Sequence, residues 1–398
     1  MPGFEFFGDL ERKEVNDVLD TGVLMRYGFD GMRKGQWKSK ELEAEIETRL
    51  NVKHAQLACS GTAALNLALA ALGIGAGDEV IMPAFTFVAS FESILTAGAT
   101  PILVDIDDTL TLSPAAVEKA ITPRTKLVMP VHMCGSMADL DALQDICKRY
   151  GLLLLEDAAQ AFGASYKGRS LGSIGDAGCF SFDYVKTITC GEGGAMVTNN
   201  DEYAKHADHY SDHGHTHEGT DRGLEDHPFI GYNYRISELN SAVGLAQIRR
   251  MDEFISIQRQ HKKVLKDALK TIPGISFRRL PDEEGDSATF LSFFMPTADQ
   301  AREVMKLFSE NGVDGCFYYF DNNWHYIRKW DHLKKMKGLG AYPESLINSM
   351  QDLENISFPA SDDLISRNIS CLIKLSWTEE QLQQRAEKMV SAIKSVLS

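Results

Sequence analysis

Four short stretches of this chain combine chemically useful side chains with small residues that let backbone approach a ligand. The first is Cys59-Ser60-Gly61-Thr62, running directly into the Ala/Leu-rich GTAALNLALAAL. A small-residue turn that opens a helix exposes unpaired N–H groups, and the helix dipole adds partial positive charge, which suits a phosphate. The plainer reading makes Ser60 or Thr62 the N-cap of that helix. The second stretch is Leu155-Glu156-Asp157-Ala158-Ala159-Gln160, closing the apolar run LLLLED. A carboxylate at the C-terminal edge of a buried strand can face a ligand ring and keep a ring nitrogen protonated; otherwise Asp157 caps the next helix.

The third runs from Ser181 through Lys186 to the cluster Gly191-Glu192-Gly193-Gly194. Confinement lowers the pKa of an amine and makes it nucleophilic, so Lys186 suits a Schiff base, whereas a surface lysine stays solvated. The fourth is Gly231-Tyr232-Asn233-Tyr234-Arg235, whose Asn and Arg either donate to an anion or cap the helix that follows. His213, His215 and His217 alternate, which on a strand would aim three imidazoles to one side as a zinc site. In so polar a stretch a mobile loop is the expectation, and no metal site is expected. Both Gly191–Gly194 and Gly73-Ile74-Gly75-Ala76-Gly77 precede strands rather than helices, so neither is a dinucleotide fingerprint. No G-x-S-x-G elbow is present.

The elements that must position these residues are legible in outline. Between about residues 55 and 200, short apolar runs alternate with helix-length segments, which predicts a doubly wound, mainly parallel α/β sheet. A polar, His-rich stretch over 201–235 interrupts that rhythm. A long helical pattern then runs from Ser237 to about Ala268. The texture changes after Ile272-Pro273-Gly274, where FLSFFM and two helical segments read as a smaller α+β unit. The expected division is a large domain over 1–270 and a small C-terminal domain over 271–398.

Composition bounds the class. The chain has 398 residues, 44% of them hydrophobic, and 41 Lys plus Arg against 56 Asp plus Glu give a net charge of −15. That balance excludes a dedicated nucleic-acid binder, and the apolar runs are too short for a membrane span. Seven cysteines without a CxxC pair make no disulfide framework, and the charged N-terminus does not read as a signal peptide. The expectation is a cytoplasmic, reduced protein.

In this order, S-G-T-A-A-L, P-A-F-T-F-V-A-S, E-D-A-A-Q-A-F-G-A, S-F-x-x-x-K-x-x-x-x-G-E-G-G-A and G-x-N-x-R resemble the DegT/DnrJ/EryC1/StrS family of pyridoxal-phosphate-dependent sugar aminotransferases. The resemblance spans nearly the whole chain. It implies the type I, aspartate-aminotransferase-like fold, with a mainly parallel sheet flanked by helices and a smaller C-terminal domain. It further implies pyridoxal 5'-phosphate as cofactor, with Lys186 as the Schiff-base lysine and proton shuttle and Asp157 paired to the pyridine nitrogen. Gln160 would meet the phenolic oxygen, and Phe87 would stack on the ring. Gly61, Thr62 and Ser181 would hold the phosphate, and Asn233 would reach it from the neighbouring subunit. That last role implies a homodimer with shared active sites and makes the His-rich loop a lid or crossing arm.

Lysine rather than histidine at position 186 favours transamination over dehydration within the family. Members acting on nucleotide-linked sugars commonly show an H-Y-x-P-L-H-like stretch, where this chain has Phe317-Tyr318-Tyr319-Phe320-Asp321-Asn322-Asn323-Trp324-His325-Tyr326. That stretch is similar to the subgroup that uses glutamate to aminate an 8-oxo-octulosonate for lipopolysaccharide. Arg235 and His325 are the expected sugar contacts. The alternatives are a nucleotide-linked keto-sugar as acceptor, or a non-catalytic cofactor-binding regulator.

Overall fold

The computed structural model describes residues 3–219 and 221–398. The apolar runs become strands β1 (His54–Ala58), β2 (Glu79–Pro83), β3 (Thr100–Val104), β4 (Thr125–Val128) and β5 (Leu153–Asp157). A two-residue hairpin, β6 (Ser165–Tyr166) and β7 (Arg169–Ser170), precedes β8 (Ala177–Ser181) and β9 (Gly194–Thr198). Seven of these form one sheet in the order β1-β9-β8-β5-β4-β2-β3. Only the two pairings made by β9 are antiparallel. Six strands therefore run the same way, and the sheet is mainly parallel as the alternating pattern predicts. Every residue of β2, β3, β8 and β9 is buried, because helices cover both faces.

One apolar core, with Leu67, Phe91 and Trp330, lies on one side of the sheet; a second, with Leu42, Phe180 and Phe254, lies on the other. A four-stranded antiparallel sheet follows, β10 (Ser276–Phe277), β11 (Phe290–Phe294), β12 (Cys316–Phe317) and β13 (Asn368–Leu372), in the order β10-β11-β13-β12. Helices Ala298–Glu310 and Glu379–Leu397 share its core. The chain between β12 and β13 then returns to the large sheet. Phe85 bridges Tyr326, and the amides of Thr86 and Val88 donate to the carbonyls of His325 and Trp324, each at 2.9 Å. Among the described residues no helix is long and apolar enough to cross a membrane.

Two sequence expectations need correction. The helical run from Ser237 breaks into Glu238–Ile248 and Met251–Leu269, with Arg250 at φ −105° and ψ 1° between them. The two arms serve different partners. The first packs on helices Asp9–Thr21 and Lys38–Leu50, while the second carries Phe254 into the large core and Leu265 and Leu269 into the small one. The stretch 201–235 also contains a helix, Asp201–Ser211, capped by the Asn200 side chain, which accepts from the amides of Glu202 and Tyr203. The Asn-Asp-Glu start was a readable N-terminal signal that the abundant polar residues masked.

Carboxylates hold His215 and His217, and the three rings are not aligned. His213 and His217 adopt left-handed backbone, φ 58° and 57°, so no strand presents the three rings together. His217 stacks on Tyr27 at 4.0 Å and bonds Asp208 at 2.7 Å and Asp212 at 3.0 Å, while His215 meets Glu225 at 3.0 Å. Burial opposes a charge on His217, but its two carboxylate bonds outweigh that and hold its pKa at about 9. Among the described residues no cluster of His, Cys, Asp or Glu could hold a metal ion. The expected mobile loop is thus tied down by ionic hydrogen bonds.

Candidate active site

The carboxyl ends of β1, β5 and β8 converge at one sheet edge, and Gly194 pairs there with both Ala58 and Ser181. Backbone approaches closely at this edge. A Cβ on Gly61 would lie 2.6 Å from the Ser181 Cβ, and one on Gly194 would lie 2.4 Å from the Ser60 carbonyl oxygen. Glycine at both positions brings the start of helix Gly61–Ala71 against the end of β8. Ser60 is its N-cap: the side-chain oxygen accepts from Ala63 N at 3.0 Å, and its carbonyl takes Ala64 N. The cap and phosphate readings therefore coexist, because capping leaves the Gly61 and Thr62 amides without an intrahelical acceptor.

Asp157 ends β5 and caps no helix, since none follows it. Its carboxylate accepts the Ser90 hydroxyl at 2.7 Å and the Ala159 amide at 3.1 Å. Thr86, four residues before Ser90 and just ahead of helix Val88–Thr96, meets the Ser90 hydroxyl at 2.7 Å and fixes it in turn. Burial pushes the Asp157 carboxyl above its ordinary pKa, against those hydrogen bonds and the charge of Lys186. Glu156 points the other way, as strand alternation requires, and accepts from the amides of Gly172, Ile174 and Gly175. Gln160 gives its Oε1 to the Cys134 amide at 2.9 Å, which leaves its Nε2 as the donor on the cavity side.

Lys186 sits in a loop closed by Cys190 N donating to Phe182 O and Phe182 N donating to Gly193 O, both at 2.8 Å. Its side chain is 13% exposed, with Nζ 3.7 Å from an Asp183 oxygen. Burial lowers its ammonium below the ordinary lysine value, and Asp183 and Asp157 only partly oppose this. The amide of Gly3 donates to the Lys186 carbonyl at 2.9 Å, and Phe4 stacks on Tyr184 at 4.6 Å. The sequence reading missed Ser90, Thr86 and this N-terminal brace. Only Thr86 and Ser90 carried a signal, their i, i+4 spacing within T-F-V-A-S.

A cavity of about 520 Å³ opens at this edge. Every residue expected at the cofactor except Asn233 borders it, and so does His325. Asn233 is exposed and Arg235 pairs with Asp212, so neither lines the cavity of its own chain. Neither caps the next helix; Ser237 does, accepting from Asn240 N at 3.2 Å.

A phosphorylated pyridine aldehyde needs an amine to bind its carbonyl, an anion for its ring nitrogen, donors for its phosphate and a wall for its ring. The cavity offers Lys186, Asp157, the Gly61 and Thr62 amides with Ser181, and Phe87. The residues present fit that group. Residues 8–389 match the DegT/DnrJ/EryC1/StrS aminotransferase family. The chain is 32% identical over 372 residues to the GDP-perosamine synthase of Vibrio cholerae, covering 91% of this chain and 95% of that one. It is 45% identical over 260 residues to the L-glutamine:2-deoxy-scyllo-inosose aminotransferase of Streptoalloteichus tenebrarius, 63% of this chain and 61% of that one. The crystal structure of 3-amino-5-hydroxybenzoic acid synthase superposes with a TM-score of 0.81 at 31% identity, over 98% of this chain and 97% of that one. The chain belongs to the DegT/DnrJ/EryC1/StrS aminotransferase family and is a pyridoxal-phosphate-dependent aminotransferase of the type I fold.

Proposed function

We propose that the enzyme carries an amino group from glutamate to a carbonyl carbon of a sugar, with 3,8-dideoxy-8-oxo-manno-octulosonate as acceptor. The product is 8-amino-3,8-dideoxy-manno-octulosonate for lipopolysaccharide, made in the cytoplasm. The observation that carries the aminotransferase reading is the buried Lys186 amine sharing one cavity with the buried Asp157 carboxylate. The octulosonate reading is supported by the Asn322-Asn323-Trp324-His325 stretch, whose Trp324 and His325 border that cavity.

When bound, the cofactor supplies an electron sink for the carbon that loses or gains a proton. Lys186 Nζ would hold the group through its carbonyl carbon, and the same amine is placed to accept and return that proton. Its lowered pKa keeps a larger share of the amine neutral and able to accept. Asp157 would accept the ring N–H, its carboxylate fixed by Ser90 and the Ala159 amide. The Gly61 and Thr62 amides and the Ser181 hydroxyl would hold the phosphate, Gln160 Nε2 would donate to the ring oxygen, and Phe87 would flank the ring. Arg235 and His325 contact the sugar, Arg235 from the partner subunit. Asn233 reaches the phosphate of a partner's site, which requires a homodimer. Its exposure, and that of Tyr184 and Val185 beside Lys186, supports such a contact.

The purified protein is expected to be yellow, and borohydride to fix the cofactor covalently on Lys186. Lys186→Ala abolishes both the covalent adduct and turnover; full turnover by that variant overturns the mechanism. One observation favours a second acceptor: the similarity to GDP-perosamine synthase supports a nucleotide-linked keto-sugar. Glutamate-dependent amination of free acidic sugars against nucleotide sugars separates the two.

A further inference from the structure

The wall of the cavity contributed by the C-terminal part of the chain is almost wholly apolar. Phe290, Phe317, Trp324 and Leu372 form it, and Tyr319 turns its hydroxyl away to the Cys134 sulfur at 3.5 Å. His325 is the exception. Its Nδ1 lies 3.0 Å from Asn322 Oδ1, and the Trp324 amide lies 2.8 Å from the same oxygen. A backbone N–H can only donate, so that atom of Asn322 is the carbonyl oxygen and not the amide nitrogen. A carbonyl oxygen can only accept, so Nδ1 of His325 carries the proton. Nε2 is then a bare lone pair. It bonds nothing else among the described residues and is not sealed from solvent, and the His325 side chain lines the cavity.

We infer that Asn322 locks His325 in the Nδ1–H tautomer, and that its bare Nε2 selects carbonyl substrates bearing a hydroxyl close to the carbon that reacts. The inference rests on the aminotransferase reading above. The ring is anchored near that chemistry. The His325 and Trp324 carbonyls take the Thr86 and Val88 amides on either side of Phe87, and the His325 ring lies 5.5 Å from the Phe87 ring. Burial, and then the charge of Lys186, pull the His325 pKa down to about 4, so the imidazole stays neutral at working pH. A neutral acceptor set in an aromatic wall suits the C–H face of a polyol with one O–H directed at it. A carboxylate or phosphate there would set acceptor against acceptor. The anionic end of the substrate therefore lies elsewhere, and a hydroxyl faces His325.

Two measurements on the cofactor-loaded enzyme test this. In protein carrying ¹⁵N-labelled histidine, the resonances missing from His325→Phe identify His325. Nδ1 is expected to be protonated and Nε2 to show the downfield shift of a bare ring nitrogen at neutral pH, and Asn322→Ala should convert that signal to a tautomer mixture. A protonated Nε2, or a tautomer indifferent to Asn322→Ala, overturns the lock. The second measurement compares D-glyceraldehyde with 3-hydroxypropanal, which lacks the adjacent hydroxyl, as acceptors from the glutamate-loaded enzyme. The wild type should prefer glyceraldehyde by about tenfold or more in kcat/KM, the effect of one hydrogen bond to an otherwise unpaired acceptor. In His325→Phe the preference should collapse to within about threefold. A wild type that takes both aldehydes equally, or neither, overturns the selection, as does a variant that keeps the preference. If glutamate fails to change the wild-type cofactor absorbance at all, the transaminase reading falls instead, and the nitrogen measurement still decides the tautomer.

Discussion

Asp157 and Glu156 are adjacent, buried carboxylates with different occupations. Glu156 is saturated by three backbone amides and His132, whereas Asp157 keeps capacity toward the cavity beyond its bonds to Ser90 and Ala159. The sequence reading singled out Asp157 from its place at the strand end, and alternation across the strand explains why its neighbour turns into the structure. The raised pKa has a consequence for the empty protein. A carboxyl whose folded pKa exceeds its unfolded value binds more protons when native, so it subtracts stability as pH rises through the ordinary carboxylate range to the raised value. Above the raised value that cost is fully present. In cofactor-free enzyme, Asp157→Asn should therefore raise the melting temperature by about 1–3 °C. The same change should weaken cofactor binding about tenfold or more, because a charge-assisted bond is lost. Calorimetry with and without cofactor checks both, and a lower melting temperature of the empty variant would make Asp157 a structural group.

At the scale of elements, the loop after helix Asp201–Ser211 is governed by one titrating clamp. Asp212 takes bonds from His217 and Arg222 at 3.0 and 2.7 Å and pairs also with Arg235, and those partners hold its pKa well below the carboxylate range despite burial. His217 is raised above its unfolded value, so its contribution is fully present below about pH 6.5 and is lost as pH rises through about 9. Limited proteolysis should show cleavage within 213–228 increasing between pH 6.5 and 9. His217→Gln should be cleaved readily at pH 6.5 already. A cleavage rate independent of pH would show that Tyr27 stacking alone holds the loop. None of this was legible in the sequence, because Asp208, Asp212, Tyr27 and Arg222 meet only after the chain folds back. Alternation of three histidines suggested a zinc site, yet two left-handed residues break the strand that such a site needed.

For the whole molecule, the decisive contact is the return of the 319–330 segment to the large sheet. Trp330 is fully buried against Phe91, with ring centroids 6.3 Å apart, and Tyr326 beside it is buried as well. Trp330→Ala should cost about 3–5 kcal/mol, read from the denaturant midpoint, and should raise the acceptor KM because the segment also carries Trp324 and His325. An unchanged KM beside lost stability would show that the segment is held by its backbone bonds to Thr86 and Val88 alone. The net charge of −15 is no obstacle to anionic ligands at such a site, since helix-end amides and a few side chains supply donors locally. The sequence by itself determined the alternating α/β sheet, the strand-end positions of Asp157 and Ser181, and Lys186 beyond them, because burial on both faces and small-residue turns leave periodic, local marks. Tertiary structure alone decided that Ser90 orients Asp157, that the helical run from Ser237 breaks to serve two cores, and that the His325 backbone docks beside Phe87. Those outcomes depend on which surfaces meet across tens to hundreds of residues, and local periodicity carries no record of such meetings.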